Sequence, residues 1–439
     1  MNAVPIQECD VAIVGGGPAG ATAASLLSER GYQVTVFEKA TFPRFHIGES
    51  LLPANIPLLE KLGVRDQIEA ISMRKNGVEL VSPAHSDSTM LEFADCWDKT
   101  MPFSFHVRRS DFDEVLLNRA TQLGSDVRQG WRVTDVRLGE ASEPSLLTVR
   151  SANTNERAQI WRARFVIDAS GRDTLLANSL KLKRKNTKHN SSALYAHYTN
   201  AKRLSGSHEG NISIFWFEHG WMWFIPLADG VTSVGAVCWP YYLKSRQTDT
   251  PTFFEQTLAL CPALAERLEQ ATRVNEVEAT GNYSYSAKRS QGTNYLLLGD
   301  AFAFVDPIFS SGVFLAMNSA FVGADAVHAI LSEPTRAHVA TKRFKRVMIL
   351  GPREFSWFIY RINKPTMRNI FMTPANPFRA KEALLSVLAG DIFGKTPIWP
   401  SLYLFKGIYY LFCLKNIPRS VREWRQRRLN IRDVGVAVL

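Results

Sequence analysis

Two groups of residues in this 439-residue chain have types and spacings that could do chemistry. The first is Gly15-Gly16-Gly17-Pro18-Ala19-Gly20, which fits G-x-G-x-x-G. Gly15 permits a tight turn, Gly17 lets backbone approach a pyrophosphate, and Gly20 lets the next helix lie close on the preceding strand. Free amides and the positive helix end would then hold phosphate oxygens. Glu38 closes the next apolar run, where a carboxylate can take both hydroxyls of an adenosine ribose. The second group is Ser310-Ser311-Gly312, which opens an apolar helical stretch. A dehydrated small anion such as a halide needs N–H donors and no competing carboxylate, and the Ser311 and Gly312 amides offer them. A serine N-cap on an ordinary helix has the same look, so this turn gains weight only in company.

These residues need elements to position them. Residues 9–14 form an apolar run broken only by Asp10, as in a buried parallel strand. Residues 19–30 read as a helix stopped by Gly31, and 33–37 as a second strand ending at Glu38. Two later strands end in acid-bearing turns, Phe165-Val166-Ile167-Asp168-Ala169-Ser170-Gly171 and Tyr295-Leu296-Leu297-Leu298-Gly299-Asp300-Ala301. Alternating stretches at 212–217 and 231–237 predict a mixed sheet on the substrate side. The pattern turns helical through residue 348 and again at 381–385. The expected fold is therefore α/β. A doubly wound dinucleotide domain (1–74, 102–182, 280–332) carries an inserted mixed β-sheet (75–101, 183–279), followed by a C-terminal helical region (333–439).

Composition narrows the class. With 46% hydrophobic and 21% charged residues the chain is globular, which excludes a disordered or collagenous protein. Five cysteines without a CxxC pair argue against a disulfide framework or zinc site, and no His/Asp/Glu spacing suits a metal. No charge-free apolar stretch reaches spanning length and the N-terminus lacks a leader pattern, so a cytoplasmic protein is expected. Of the net charge of +11, eight Lys or Arg less two acids place +6 in residues 401–439. The body carries only +5, so nucleic-acid binding is not expected. Residues 401–415 (SLYLFKGIYYLFCLK) are too short to span a bilayer. Followed by arginines, they read as a peripheral membrane anchor, a helix packed on the body, or a docking surface for an acidic carrier protein.

In their order the strand-end motifs resemble the FAD-dependent aromatic hydroxylase superfamily. That resemblance implies Asp300 at the ribityl chain, and Arg109, in Arg109-Ser110-Asp111-Phe112-Asp113, near the flavin phosphates. Three segments resemble the flavin-dependent halogenases more narrowly, in the branch acting on pyrroles and phenols often tethered to a carrier protein. They are Phe42-Pro43-Arg44-Phe45-His46-Ile47-Gly48-Glu49-Ser50-Leu51, the W-x-W-x-I-P of Trp221 to Pro226, and the F-x-x-P-x-x-S-x-G of Phe304 to Gly312. The resemblance runs over about residues 8–395 and implies FAD used as FADH2, chloride or bromide, and a separate NAD(P)H flavin reductase. It implies cofactor contacts at Gly15, Gly17, Ala19, Gly20, Glu38, Lys39, Arg44, Ser50, Arg109, Asp300, Pro307 and Gly312. Halide would sit at Ser311 and Gly312, with Trp221 and Trp223 keeping organic substrate from the flavin. Lys75, in Arg74-Lys75-Asn76-Gly77, matches the halogenating lysine, although lysines are usually solvated. It would either hydrogen-bond hypohalous acid or, as a free amine made available by burial, form a haloamine. The competing expectation is an FAD monooxygenase or reductase that adds no halogen.

Overall fold

From Val11 to Val14 the first strand is buried, because sheet neighbours and helices cover it on every side. This strand, Ile6–Val14, pairs in parallel with Val34–Glu38 and with Gln159–Asp168. The computed structural model describes residues 6–432 apart from 141–142, 153–156, 282–283 and 374–375. Asp126–Gln129 adds a parallel edge beside Val34–Glu38. The far edge of Gln159–Asp168 is shared: Ser145–Ser151 pairs antiparallel with its first half and Tyr295–Leu297 parallel with its last three residues. Trp131–Arg137 completes this seven-stranded sheet. The carboxyl ends of four parallel strands, at Val14, Glu38, Asp168 and Leu297, thus come out along one edge, where open α/β sheets bind ligands.

The helices Pro18–Ser28 and Gly312–Ser332 pack together over this sheet. Gly312–Ser332 has 21 residues and a mean hydropathy of 1.4, long and apolar enough to cross a membrane. It carries Asp325, so it is not a charge-free stretch of the kind the sequence excludes. Its length serves the core instead: Met317, Ala320, Ala324 and Val327 have no exposed surface.

The second sheet has eight strands, in the order Thr272–Arg273, Ser192–Thr199, Thr232–Cys238, Gly220–Pro226, Ile212–Phe217, Gly77–Val81, Thr89–Glu92, with Glu278–Thr280 also on Ser192–Thr199. Register sorts its faces. Ile214 opposes Trp223, Trp216 opposes Trp221, and Val78 opposes Ile212, so these side chains share the inner face. The outer face, with Phe215, Met222 and Phe224, packs with the helices Thr250–Ala259 and Pro262–Leu268 into a second core. A separate ribbon pairs Met73–Lys75 with Ser104–His106. The long helix Pro334–Ile362 and the helices Pro365–Met372, Ala380–Ala389, Trp399–Lys415 and Ile417–Ile431 close the molecule beyond the inner face.

Candidate active site

A cavity of about 680 Å3 lies between the carboxyl ends of the first sheet and the inner face of the second. Its volume falls within the usual small-molecule range. The glycine turn forms one wall through Gly15, Gly17, Pro18 and Ala19, and the turn is sterically committed. Gly15 has φ +102°, and a Cβ there would meet Ala169 O at 2.4 Å. A Cβ at Gly20 would meet Gly15 O at 1.9 Å, so Gly20 fixes the helix on the strand without lining the cavity. Gly17 meets nothing closer than Arg44 Nη2 at 3.5 Å, leaving the turn open to a ligand. Glu38 lines the cavity and accepts hydrogen bonds from the Gly16 amide at 2.7 Å and the Ala40 amide at 2.8 Å. Lys39 also lines it, paired with Asp173.

Opposite the glycine turn stand two arginines. Arg109 donates to both oxygens of Asp113, at 2.8 and 2.9 Å, and to Ile47 O at 3.2 Å. Arg44 lies 3.3 Å from the same carboxylate, and its buried Nη1 has no partner. One Asp113 charge thus faces two guanidinium ions, leaving net positive charge beside the phosphate-ready turn. An orphan guanidinium N–H, an open glycine turn and a buried acid at Glu38 together fit a dinucleotide such as FAD. Farther along, burial pushes the Asp300 carboxyl up to about 7, with Arg109 and Arg172 pulling the other way. At neutral pH it therefore donates as well as accepts, which suits a polyol chain. Burial lowers His46 to about 4, with Arg109 acting in the same direction, so it is a neutral ring near Ile47 O rather than a proton carrier at neutral pH.

The cavity's far end is the anion-ready turn. Pro307–Phe309 is a short 3-10 turn capped by Asp306, which accepts from the Ile308 amide at 3.2 Å. Ser310 follows in the left-handed region at φ +53°, and the helix begins at Gly312. Pro307, Ser310, Gly312 and Val313 line the cavity, whereas Ser311 is buried and does not line it. Of the two expected halide residues, only Gly312 faces the flavin cavity. A Cβ on Gly312 would meet no atom within 4 Å. Asp306 is held away by His189 Nε2 at 2.8 Å and Ser191 Oγ at 2.9 Å, so its charge is satisfied elsewhere. Arg427 on the last helix donates to His189 Nδ1 at 3.2 Å, which assigns the ring proton to Nε2, facing Asp306.

Trp221, Trp223 and Ile225 roof the flavin cavity from the second sheet. The two indoles lie 5.9 Å apart, and Trp223 Nε1 donates to Ser233 Oγ at 3.2 Å. Gly235 leaves the space that Trp223 fills, since a Cβ there would meet the indole at 2.3 Å.

Beyond this roof lies a second, much smaller cavity of about 30 Å3. Ile212, Ile308 and Ser310 line both cavities and form the wall between them. Lys75 is the sole ionisable side chain among the described residues lining the small one; the others include Phe93, Trp216, Phe309 and Phe371. Lys75 is 1% exposed and donates from Nζ to Ser50 Oγ at 3.0 Å and Leu51 O at 3.2 Å. Loss of water lowers its pKa from 10.5 to about 7. Arg74 points elsewhere, exposed and stacked 3.9 Å over Phe103.

Sequence reading did not find the neighbours of Lys75. Ser104 is its direct cross-strand partner and His106 lies two residues on, so both share its face of the ribbon. Ser104 Oγ and both His106 ring nitrogens lack hydrogen-bond partners, although neither residue has exposed surface. Burial holds His106 well below the usual histidine range, with the charge of Lys75 pushing the same way. The alternation Ser104-Phe105-His106 was the available signal, but a three-residue strand leaves too short a pattern to read.

Comparison with known proteins agrees with this geometry. The FAD binding domain family matches residues 8–339. A Pseudomonas fluorescens chlorinase of 1H-pyrrole-2-carbonyl on a peptidyl-carrier protein is 31% identical over 413 residues, spanning 88% of this chain and 90% of that protein. Among solved structures, a flavoprotein/dehydrogenase from Cytophaga hutchinsonii superposes with a TM-score of 0.84 at 29% identity, covering 92% of this chain and 99% of that one. The myxobacterial chondrochloren halogenase CndH superposes with a TM-score of 0.77 at 31% identity, covering 90% and 93%.

Proposed function

Because this chain belongs to the flavin-dependent halogenases, we propose that it passes an oxidised halogen through the wall between its two cavities to Lys75, and from there to an electron-rich aromatic ring. The chain is an FAD-dependent halogenating oxidoreductase. Reduced FAD, when bound, would give O2 two electrons, and halide gives two more as it is oxidised to hypohalous acid, the second oxygen leaving as water. The protein's own part is positional. The glycine turn, Arg44 and Arg109 hold phosphates; Glu38 takes ribose; Asp300 takes the ribityl chain; and the Gly312 end of its helix holds halide. Trp221 and Trp223 keep organic substrate off the flavin.

The observation that carries the transfer is the desolvated Lys75, the sole ionisable side chain among the described residues of a mostly apolar chamber. With two N–H groups directed to Ser50 and Leu51, its ammonium has a third for the oxygen of hypohalous acid. Donating that proton as the halogen reaches the ring lets oxygen leave as water, and the proton displaced from the ring balances the step. The substrate we infer is pyrrole- or phenol-like and borne on a carrier protein, as with the Pseudomonas relative. A separate NAD(P)H flavin reductase would supply FADH2, as membership in the flavin-dependent halogenases implies.

The test is product mass from a pyrrolyl- or phenolyl-carrier substrate with reductase, NADH, O2 and bromide. Monobrominated product supports the reading. Hydroxylated product with bromide ignored would support a monooxygenase.

A further inference from the structure

We propose that the last two helices dock this enzyme on an anionic lipid bilayer, a property separate from the halogenation reading. Trp399–Lys415 is apolar on all sides. It turns Leu402, Phe405 and Tyr409 into the body, yet Tyr403, Leu411 and Leu414 are 61%, 65% and 63% exposed. A helix apolar all round is normally covered, and here one side is not. The next helix, Ile417–Ile431, turns two charged side chains, Glu423 and Arg427, toward the body. Glu423 accepts from Thr366 Oγ1 at 3.2 Å, and Arg427 donates to Lys188 O at 2.9 Å, against Trp239 and Tyr360. Its Ile417, Trp424 and Leu429 are left about half exposed. A helix folding only against its own protein would place these the other way round.

Charge selects the occupant. Lys415, Arg419, Arg422, Arg425, Arg428 and Arg432 are exposed along this surface, whereas Glu423, the acid among its described residues, is turned inward and paired. Two copies face to face would bring these cations together, which disfavours a self-interface. An acidic carrier protein answers the charges but not the exposed Tyr403, Leu411 and Leu414 of one helix or the Ile417, Trp424 and Leu429 of the next. Anionic headgroups beside acyl chains answer both. At about 1.5 Å per residue, helices of 17 and 15 residues cannot cross a bilayer core of about 30 Å, so they lie along its surface. Phe405 contacts Phe358 and Phe371, at 5.9 and 6.5 Å between ring centroids, and Phe371 lines the Lys75 cavity. The lipid-facing layer therefore backs directly onto that chamber.

The experiment is flotation of the full-length holoenzyme with vesicles of phosphatidylcholine alone, or mixed equally with phosphatidylglycerol. Bound protein should rise at least tenfold with phosphatidylglycerol and fall severalfold in high salt. Leu411→Asp with Leu414→Asp, and separately Arg422→Glu with Arg425→Glu, should each abolish flotation while FAD binding and the thermal midpoint stay unchanged. Equal recovery on both vesicle types would overturn the proposal, as would flotation by both double variants. A wild-type dimer in solution that ignores vesicles would overturn it too, in favour of a second copy. Lipid and salt dependence of the wild type decide the matter even if a variant misfolds.

Discussion

Lys75 donates a hydrogen bond to Ser50 Oγ at 3.0 Å, and Ser50 also lines the flavin cavity, so a single contact joins the two chambers. Lys75 itself faces the other chamber, across the wall of Ile212, Ile308 and Ser310. The lysine is thus tied to the flavin-side loop without being open to the flavin.

Burial brings the Lys75 pKa to about 7, which gives the transfer step a pH signature. If the ammonium is the working form, turnover falls as pH rises through about 7. Ser50→Ala removes an acceptor that favours the ammonium, and should move this limb to lower pH. Steady-state halogenation from pH 5.5 to 9 (~half-unit steps) would reveal it. A limb rising through the same pH would instead indicate haloamine formation by the free amine.

The buried amine also bears on stability. Between the lowered folded pKa and the unfolded value of 10.5, the unfolded chain holds the extra proton, so this lysine's penalty is full below about pH 7 and shrinks as pH rises toward 10.5. Lys75→Met should therefore stabilise the protein by several kcal/mol at neutral pH, since each tenfold loss of proton affinity on folding costs about 1.4 kcal/mol. Urea melts at pH 7 and pH 10 should show the gain shrinking at the higher pH.

Two glycines separate folding from ligand space. Gly20→Ala places a methyl on Gly15 O and should cost more than about 2 kcal/mol together with flavin binding. Gly312→Ala has room for its methyl and should fold normally. That methyl enters the flavin cavity beside the anion-ready amides, so the halide KM should rise at least tenfold. Thermal melts and halide titrations distinguish the two.

His189 and Asp306, both 2% exposed, hold the Pro307–Phe309 turn from behind. His189→Ala leaves Asp306 short of a donor, at a cost of about 1–3 kcal/mol. The turn's amides should then bind halide severalfold more weakly with FAD affinity little changed, measured by bromide titration and flavin fluorescence.

The sequence was most legible where local physics decides the outcome. Gly15, Gly20 and Glu38 could be read because a turn, a close packing and a strand end each demand one residue type. Gly31 follows its helix in the left-handed conformation expected of a stop, although the helix itself ends at Ser28. Lys75 could be found only by resemblance, because nothing local distinguishes a buried lysine from a solvated one. Its chamber was not legible: Phe93, Trp216, Phe371 and Leu388 converge from four distant segments. Asp306, His189 and Arg427 were equally hidden, joined across 117 and 238 positions of chain. Ser311 and Gly312 were read for their backbone amides; the Ser311 side chain is buried, and only Gly312 of the two lines the large cavity.

The most direct measurement is a single turnover of reduced Lys75→Ala holoenzyme with O2, bromide and aromatic substrate, trapping free hypobromite in parallel. The expected result is wild-type flavin reoxidation, trapped hypobromite, and brominated product reduced at least a hundredfold. Brominated product formed at the wild-type rate would contradict the role given to Lys75.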